Sequence, residues 1–400
     1  MKILVSNIGS TSFKFRLFEM GEGFECELAS GSVDRIGAGG GTVSFRLGGG
    51  EVSQQHNYAD HGEAIRSVLA KLSEEGAPGE TCELDAVAFK AVMAGDYEPV
   101  ALVDDELLEQ MEYFCPVAPA HNPAYISAMR MFRDVLPSTP LVAAFEPGFH
   151  RTIPDRRRYY AVPLEWAEDY GVKRYGFHGA SHRYIATRTA ELMGPENARR
   201  IISCHLGGSS SICAIRDGES VATSFGLSPQ SGLPQVNRSG EFDPFAFSLL
   251  KERAGMDAET VLAELGKSAG LAALSKTSGD MRDIREAADA GNEHAKLAME
   301  IFITAVRDYV GAYLVELGGA DALVFTGGIG LNHPPIRRDV CKGMEFIGIV
   351  LDEDRNAGAS GETRIDASKS ATAVWSMPTN EEIIVARQAA ELLKQQTNSD

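Results

Sequence analysis

Positive charge is in short supply in this chain. Its 400 residues carry 38 Lys and Arg against 56 Asp and Glu, a formal net charge of −18. That balance argues against nucleic acid or anionic membrane as partners, since both are bound through clustered cations. Long apolar runs are lacking too. No stretch approaches a membrane span, and Met1-Lys2-Ile3 reads as the start of a strand rather than of a signal peptide, so a cytoplasmic protein is expected. Six cysteines (Cys26, Cys82, Cys115, Cys204, Cys213, Cys341) show no metal-ligand spacing and read as free thiols. Low-complexity sequence is absent beyond a polar tail, Gln395 to Asp400, expected to fray. The 44% hydrophobic and 24% charged content is that of a soluble globular protein long enough for two domains.

What is present is an internal repeat. The run Lys2-Ile-Leu-Val-Ser-Asn-Ile-Gly-Ser-Thr-Ser-Phe-Lys-Phe-Arg-Leu17 returns as Arg200-Ile-Ile-Ser-Cys-His-Leu-Gly-Gly-Ser-Ser-Ser-Ile-Cys-Ala-Ile215. Each is an apolar strand, a Gly/Ser turn and a second apolar strand. Such turns expose backbone N–H and hydroxyl groups suited to phosphate. Leu84-Asp-Ala-Val-Ala-Phe-Lys-Ala-Val-Met-Ala-Gly95 is likewise echoed by Ala320-Asp-Ala-Leu-Val-Phe-Thr-Gly-Gly-Ile-Gly330, a buried strand running into a glycine-containing loop. The period is far too long for a solenoid, so the pattern predicts two homologous α/β domains facing a cleft. Gly37 to Gly50 mixes glycine with Val43, Phe45 and Leu47 and reads as a strand and turns at an exposed edge. A long amphipathic helix is expected from Glu293 to Leu317, closed by Gly318-Gly319. Another is expected over 381–400, with Thr379 and Glu382 at capping-box spacing and Ile383, Ile384, Ala386 and Leu392 on its apolar side.

Eight blocks in order make the chain resemble the acetate kinase family of short-chain carboxylate kinases, within the actin, Hsp70 and sugar-kinase superfamily. They are Asn7-x-x-Ser10-x-Ser12-x-Lys14, Ala118-Pro-Ala-His-Asn-Pro123, Tyr175-Gly-Phe-His-Gly179, Cys204-His-Leu-Gly207, Arg238-Ser-Gly240, Asp280-Met-Arg-Asp283, Phe325-Thr-Gly-Gly-Ile-Gly330 and Pro378-Thr-Asn-Glu-Glu382. The resemblance implies two duplicated actin-like (ribonuclease H-like) α/β domains around a central cleft. Their expected bounds are 1–148 with 381–400, and 149–380, the second nucleotide-binding and dimerising. It implies a homodimer that reversibly transfers the γ-phosphoryl of ATP to acetate, propionate or a similar acid with Mg²⁺, giving an acyl phosphate and ADP. Domain closure would exclude water.

The chemistry says which side chains to seek. A carboxylate acceptor is already ionised at neutral pH and needs no general base. It needs cations, neutral donors and a metal to mask charge and hold the phosphoryl group in line. Arg238 is the best cation, because a guanidinium fork grips carboxylate or phosphate, although an arbitrary Arg is more often a surface residue. His178 and His121, in Gly- and Pro-flanked loop positions, are by resemblance donors to the transferring group. His182 and His205 read as turn and strand structure, while the resemblance places His205 beside the nucleotide. Asn7 and Glu381 are the candidate Mg²⁺ ligands. Ser10, Ser12 and Lys14 lie two apart on a strand and share a face; they would meet phosphate. By resemblance, Gly207 and Gly208 of the second turn, Asp280, Met281 and Arg282, and Gly327, Gly328, Ile329 and Gly330 would meet the nucleotide. Val92, Ala120, Phe177 and Pro229 would line the acyl pocket. The alanine at 120 leaves extra room there, so propionate or a larger acid is expected to fit at least as well as acetate.

Several positions depart from the family pattern. Lys90 stands for its Arg, Glu146 for its catalytic Asp, and Gly208 for the Asn of the second clamp. Ser231 and Leu331 replace two glutamates, and Gln235-Val236-Asn237 replaces Met-Gly-Thr. Lys90 keeps charge but loses the bidentate fork. These changes leave three readings open: a kinase with altered substrate, a kinase using another donor such as pyrophosphate, and a catalytically silent nucleotide-binding relative.

Overall fold

The computed structural model describes residues 1–9, 11–47, 50–74 and 83–397, so Ser10, Cys82 and the end of the polar tail lie outside the described residues. The chain divides into two compact units, Met1–Gly148 with Asn380–Asp400, and Phe149–Thr379. Among the described residues no helix is long and apolar enough to cross a membrane. Five of the cysteines are free thiols.

In the first unit the opening repeat forms a hairpin of β1 (Lys2–Ile8) and β2 (Ser12–Met20), with Asn7 opposite Lys14. The strands β3 (Glu25–Asp34), β4 (Thr42–Leu47) and β5 (Gly50–Gln55) extend it antiparallel. On the other side β6 (Ala86–Ala91) pairs parallel with β1, and β8 (Leu141–Phe145) parallel with β6. The short β7 (Val100–Leu102) closes that edge, giving the order β5-β4-β3-β2-β1-β6-β8-β7. Burial explains the pairing. All five residues of β8 are buried, as a parallel strand covered on both faces requires, whereas every residue of β5 is exposed, as an edge allows. The glycine-mixed segment thus contains strand β4, which buries Val43 and Phe45.

The second unit repeats this order. The strands β9 (Arg200–His205), β10 (Ser211–Arg216), β11 (Glu219–Thr223), β12 (Ala322–Thr326), β13 (Thr363–Arg364) and β14 (Ala373–Ser376) run β11-β10-β9-β12-β14-β13. β9 takes the place of β1, β10 of β2, β12 of β6 and β14 of β8, with the same antiparallel hairpin and the same parallel neighbours. The repeat seen in sequence is a repeat of sheet topology, the duplicated α/β fold.

Helices cover these sheets through predictable faces. The Glu293–Leu317 helix starts at Asn292, whose Oδ1 accepts from the His294 and Ala295 N–H groups, and stops at Gly318, which is left-handed at φ 71°. Its Ala295, Ala298, Phe302, Val306, Val310, Tyr313 and Leu317 recur every three or four residues and sink into the core around β9, β10 and β12. The Glu381–Thr397 helix packs on β1, β2 and β6 of the first unit. Its cap corrects the sequence expectation. Asn380 Oδ1 accepts from the Ile383 N–H at 3.2 Å, so Asn380 rather than Thr379 caps the helix. Asn380 directly precedes the first helical residue, which leaves Thr379 one position too early for the N3 amide.

Phe302 has no exposed surface. Truncating it to alanine should leave a cavity that the surrounding helices cannot close, costing about 3–5 kcal/mol. Chemical denaturation of Phe302→Ala should show a correspondingly lower midpoint; a midpoint equal to that of wild type would mean that this helix does not anchor the second unit.

Candidate active site

In the first unit the candidate residues gather where β1, β6 and β8 end, the edge of an α/β sheet at which ligands bind. Lys90 reaches out of β6, Glu146 follows β8, and Glu381 opens the C-terminal helix. The Lys90 ammonium donates to Glu381 Oε2 at 2.5 Å and lies 3.6 Å from Glu146 Oε1. Burial works to lower the Lys90 pKa, but Glu381 first and Glu146 next outweigh it, so the group is held well above the ordinary lysine value. Asn7, at the end of β1, accepts at Oδ1 from the Tyr125 hydroxyl at 3.1 Å, and that hydroxyl accepts in turn from the Ile8 N–H at 3.3 Å. Burial pushes Tyr125 up to about 12, so it remains a neutral donor. The residue that orients Asn7 carries no local sequence signal. Tyr125 comes from the Asn122–Val135 helix, more than 100 residues away.

Along the first hairpin, Ser12 opens β2 and Lys14 is exposed on the face it shares with Asn7. No ion pair holds Lys14 among the described residues. His121 precedes the Asn122–Val135 helix without capping it through its side chain. The buried Asn122 beside it fixes the loop by donating to the Met93 and Met111 carbonyls, both at 2.8 Å. Val92 is buried after β6, and Ala120 is exposed before His121.

The second unit gathers a larger set. His178 sits in left-handed conformation (φ 57°) at the start of the Gly179–Met193 helix. Its Nδ1 meets Ser211 Oγ at 2.8 Å, and its ring stacks on His205 with centroids 4.0 Å apart. His205 Nδ1 meets Ser181 Oγ at 2.8 Å. The same Ser211 oxygen lies 2.8 Å from His182 Nε2, whose Nδ1 meets Ser203 Oγ at 2.8 Å. Burial holds His182 well below the ordinary histidine value and pushes His150 down to about 4, so neither adds charge near neutral pH. The expectation that His182 is structural fits this. His205 is both a strand residue and the stacking partner of His178.

The second turn packs on the glycine segment after β12, which corrects the sequence expectation: it is not a loop but the start of a short helix, Gly327–Asn332, entered directly from the strand through left-handed Gly327. Leu206 O accepts from the Ile329 and Gly330 N–H groups at 2.8 and 3.0 Å, and a Cβ on Gly327 (φ 76°) would lie 2.5 Å from that same oxygen. Only glycine fits position 327. Gly208 is exposed with nothing nearer its Cβ position than Val236 Cγ2 at 3.9 Å, and Gly328 faces open space. Behind the glycine segment, Arg337 is fully buried and donates to Gly330 O and Leu331 O, each at 2.7 Å, and to Asn356. Burial lowers its pKa to about 10, still a cation. Asp280 caps the Met281–Asp289 helix and pairs with Arg282 at 2.7 Å on the surface, which holds its carboxyl well below the usual range. Met281 and Ile329 are buried in the core cluster of this unit, and Phe177 and Pro229 are buried too. Arg238 donates from Nη1 to Gln235 Oε1 at 3.1 Å and to Pro229 O at 3.3 Å. No carboxylate pairs with it among the described residues, and burial lowers its pKa.

Two independent likenesses meet this geometry. The family model described as the acetokinase family matches residues 2–387. The chain belongs to the acetokinase family. Among curated relatives, the acetate kinase of Bacillus subtilis is 38% identical over 98% of this chain and 100% of its own. That of Carboxydothermus hydrogenoformans is 39% identical over 98% and 99%. Among solved structures, Porphyromonas gingivalis acetate kinase superposes with TM-score 0.88 at 36% identity, covering 98% of this chain and 99% of its own. A propionate kinase from Francisella tularensis superposes with TM-score 0.88 at 31% identity, covering 97% and 98%. As an acetokinase the chain is a phosphotransferase with a carboxyl group as acceptor, and the matches favour neither another donor nor a silent scaffold.

The placing of Lys90 has a consequence for stability. Lys90 is the cation between the buried Glu146 and the half-buried Glu381, so Lys90→Met leaves them uncompensated at a cost on the order of 3 kcal/mol. Because the Lys90 pKa is raised, its contribution is whole below the ordinary lysine value and is lost only as pH rises through the raised one. Wild type should therefore show no loss from this group between about pH 6 and 9. In the variant the carboxylates gain protons on folding, so the deficit in melting temperature should shrink as pH falls toward about 5. A deficit independent of pH would show that the two acids do not share one field.

Proposed function

We propose that the chain transfers the γ-phosphoryl group of ATP, reversibly, to a short-chain carboxylate, giving an acyl phosphate and ADP. The observation that carries this reading most directly is Arg238, a half-buried guanidinium whose partners among the described residues are neutral, linked through Gln235 to Ser209 of a glycine-rich turn. A cation kept without a counter-ion inside a protein of net charge −18 is a cation kept for an anionic ligand.

The roles follow from what each group has to offer. Arg238 takes the acceptor carboxylate or the transferring phosphoryl group. In the second unit His178, fixed by Ser211 and by its stack on His205, is a donor for phosphoryl oxygens; in the first unit His121 is the candidate donor. The turn at Gly208 and the start of the short Gly327–Asn332 helix, at Gly327 and Gly328, supply backbone N–H groups to the nucleotide, since the Gly207, Ile329 and Gly330 N–H groups already have partners within the protein; Asp280 and Arg282 lie at its adenosine end. Ser12 and Lys14 take phosphate from the first unit. The acceptor is already ionised, so no side chain acts as its base. Positioning and masking of charge supply the rate.

Asn7 and Glu381, with Glu146 beside them, offer hard oxygen donors that suit Mg²⁺. Among the described residues no three His, Cys, Asp or Glu converge on a metal, which agrees with an ion whose remaining ligands are phosphate and water. Bound there, the ion would neutralise triphosphate charge and fix its orientation. Lys90 holds the two carboxylates in place. A homodimer through the second unit is supported by exposed apolar side chains on that unit, among them Trp166, Tyr170, Phe245, Leu249 and Leu262. A cytoplasmic location agrees with the free thiols.

Hydroxylamine trapping of the acyl phosphate formed from ATP and a panel of carboxylates tests the activity. Wild type should give hydroxamate with two- to four-carbon acids, and Arg238→Ala should lower kcat/KM at least about 100-fold. No product with any acid would overturn the reading. The acyl pocket reading concerns Ala120. Ala120→Leu should lower the propionate-to-acetate ratio of kcat/KM by about tenfold, since one methylene is worth roughly 1–3 kcal/mol. An unchanged ratio removes Ala120 from the pocket.

A further inference from the structure

Gln235 lies three residues before Arg238, and its side chain has no exposed surface. Its amide joins three segments of the second unit. Nε2 donates to Pro229 O at 2.8 Å, and Oε1 accepts from Ser209 Oγ at 2.8 Å and from Arg238 Nη1 at 3.1 Å. Its main chain is fixed as firmly. The Gln235 N–H donates to Arg238 O at 3.0 Å, and its carbonyl accepts from the Leu271 N–H at 2.8 Å. The next residue ties directly to the phosphate turn, with the Val236 N–H donating to Gly208 O at 3.2 Å. Behind this segment Gly279 is left-handed (φ 82°), and a Cβ there would lie 2.9 Å from Val236 Cγ1.

The amide oxygen is an uncharged partner for this half-buried guanidinium. A carboxylate at that point would bind Arg238 more strongly, yet would cancel the charge an anionic ligand needs. An apolar side chain would leave the charge intact but the guanidinium unfixed. A neutral acceptor does neither. Among the described residues Arg238 bonds to the protein through Nη1, to two uncharged oxygens, so its charge is not neutralised there.

We infer that Gln235 is a positioning residue for Arg238: its uncharged amide fixes the guanidinium beside the Gly207–Ser210 turn without neutralising it, and so sets the enzyme's hold on the acceptor carboxylate. The inference rests on the reading that Arg238 meets the acceptor, and it goes beyond that reading by naming what keeps Arg238 available.

Two substitutions separate charge from packing. Gln235→Glu keeps the shape and the acceptor but adds a negative charge; Gln235→Met keeps the volume but removes both. Both lose the bond to Pro229. Steady-state hydroxamate kinetics with acetate and ATP, beside melting temperatures, give the comparison. Gln235→Met should lose about tenfold in kcat/KM for acetate. Gln235→Glu should lose at least tenfold more, with most of the extra loss in the acetate KM, because the new carboxylate competes for Arg238. A packing role predicts the reverse order, since the glutamate preserves more of the native contacts. Gln235→Glu equal to or better than Gln235→Met, or both within twofold of wild type, overturns the inference. If the glutamate prevents folding, Gln235→Asn withdraws the acceptor by about one bond length and should cost at least fivefold; activity within twofold of wild type then overturns it. Arg238→Ala, run alongside, reads the parent assignment separately. Full activity there removes Arg238 from the site, whereas a large loss there with indifferent Gln235 variants removes only the role of Gln235.

Discussion

A protein of net charge −18 can hold a polyanion only where positive charge is locally left over. The arrangement of side chains in both units follows from that constraint. Each unit places a cation near the ends of its central strands, but the two are treated in opposite ways. Lys90 is given two carboxylates, Glu381 at 2.5 Å and Glu146 at 3.6 Å, and is thereby committed. Arg238 is given none and is steadied by an amide and a carbonyl. The first arrangement organises oxygen donors around a fixed ammonium, as the proposed metal site requires. The second leaves a cation without a counter-ion among the described residues, as the proposed hold on the acceptor requires.

Neutral groups do the orienting in both places. Tyr125, held neutral by burial, turns Asn7; Ser211 joins His178 to His182; Gln235 joins Arg238 to the second turn. Burial suppresses charge on His150 and His182 as well. The pattern suits phosphoryl transfer to an ionised acceptor, where no proton has to be removed and stray charge would only compete with the ligand. Arg337 is the exception that fits. Its charge is buried, but it is spent on carbonyls in the last turn of the short Gly327–Asn332 helix, where a cation is favoured by the aligned peptide dipoles.

Local patterning made much of this legible. The two hairpins, the two buried strands and the Glu293–Leu317 helix with its glycine stop follow from strand alternation, helical periodicity and capping chemistry, which operate between near neighbours. The ordered motifs led to the acetokinase family and named Asn7, His178 and Arg238, while Lys90 stands out as a departure from that pattern. The same local reasoning misplaced the last helix cap by one residue, because Thr379 and Asn380 are both good caps and only backbone geometry chooses between them.

The sequence by itself therefore determined the duplicated α/β order, the family and most of the residues that bear charge. Tertiary structure alone decided their partners. That Lys90 would be shared by acids 56 and 291 positions away, that Asn7 would be turned by Tyr125, and that Gln235 would be the neutral tether of Arg238 and Ser209 depend on which strand ends and loops come to lie within 4 Å. Hydrogen bonds and ion pairs fall off over a single side-chain length. No spacing along the chain encodes them until the sheet order has brought distant segments side by side.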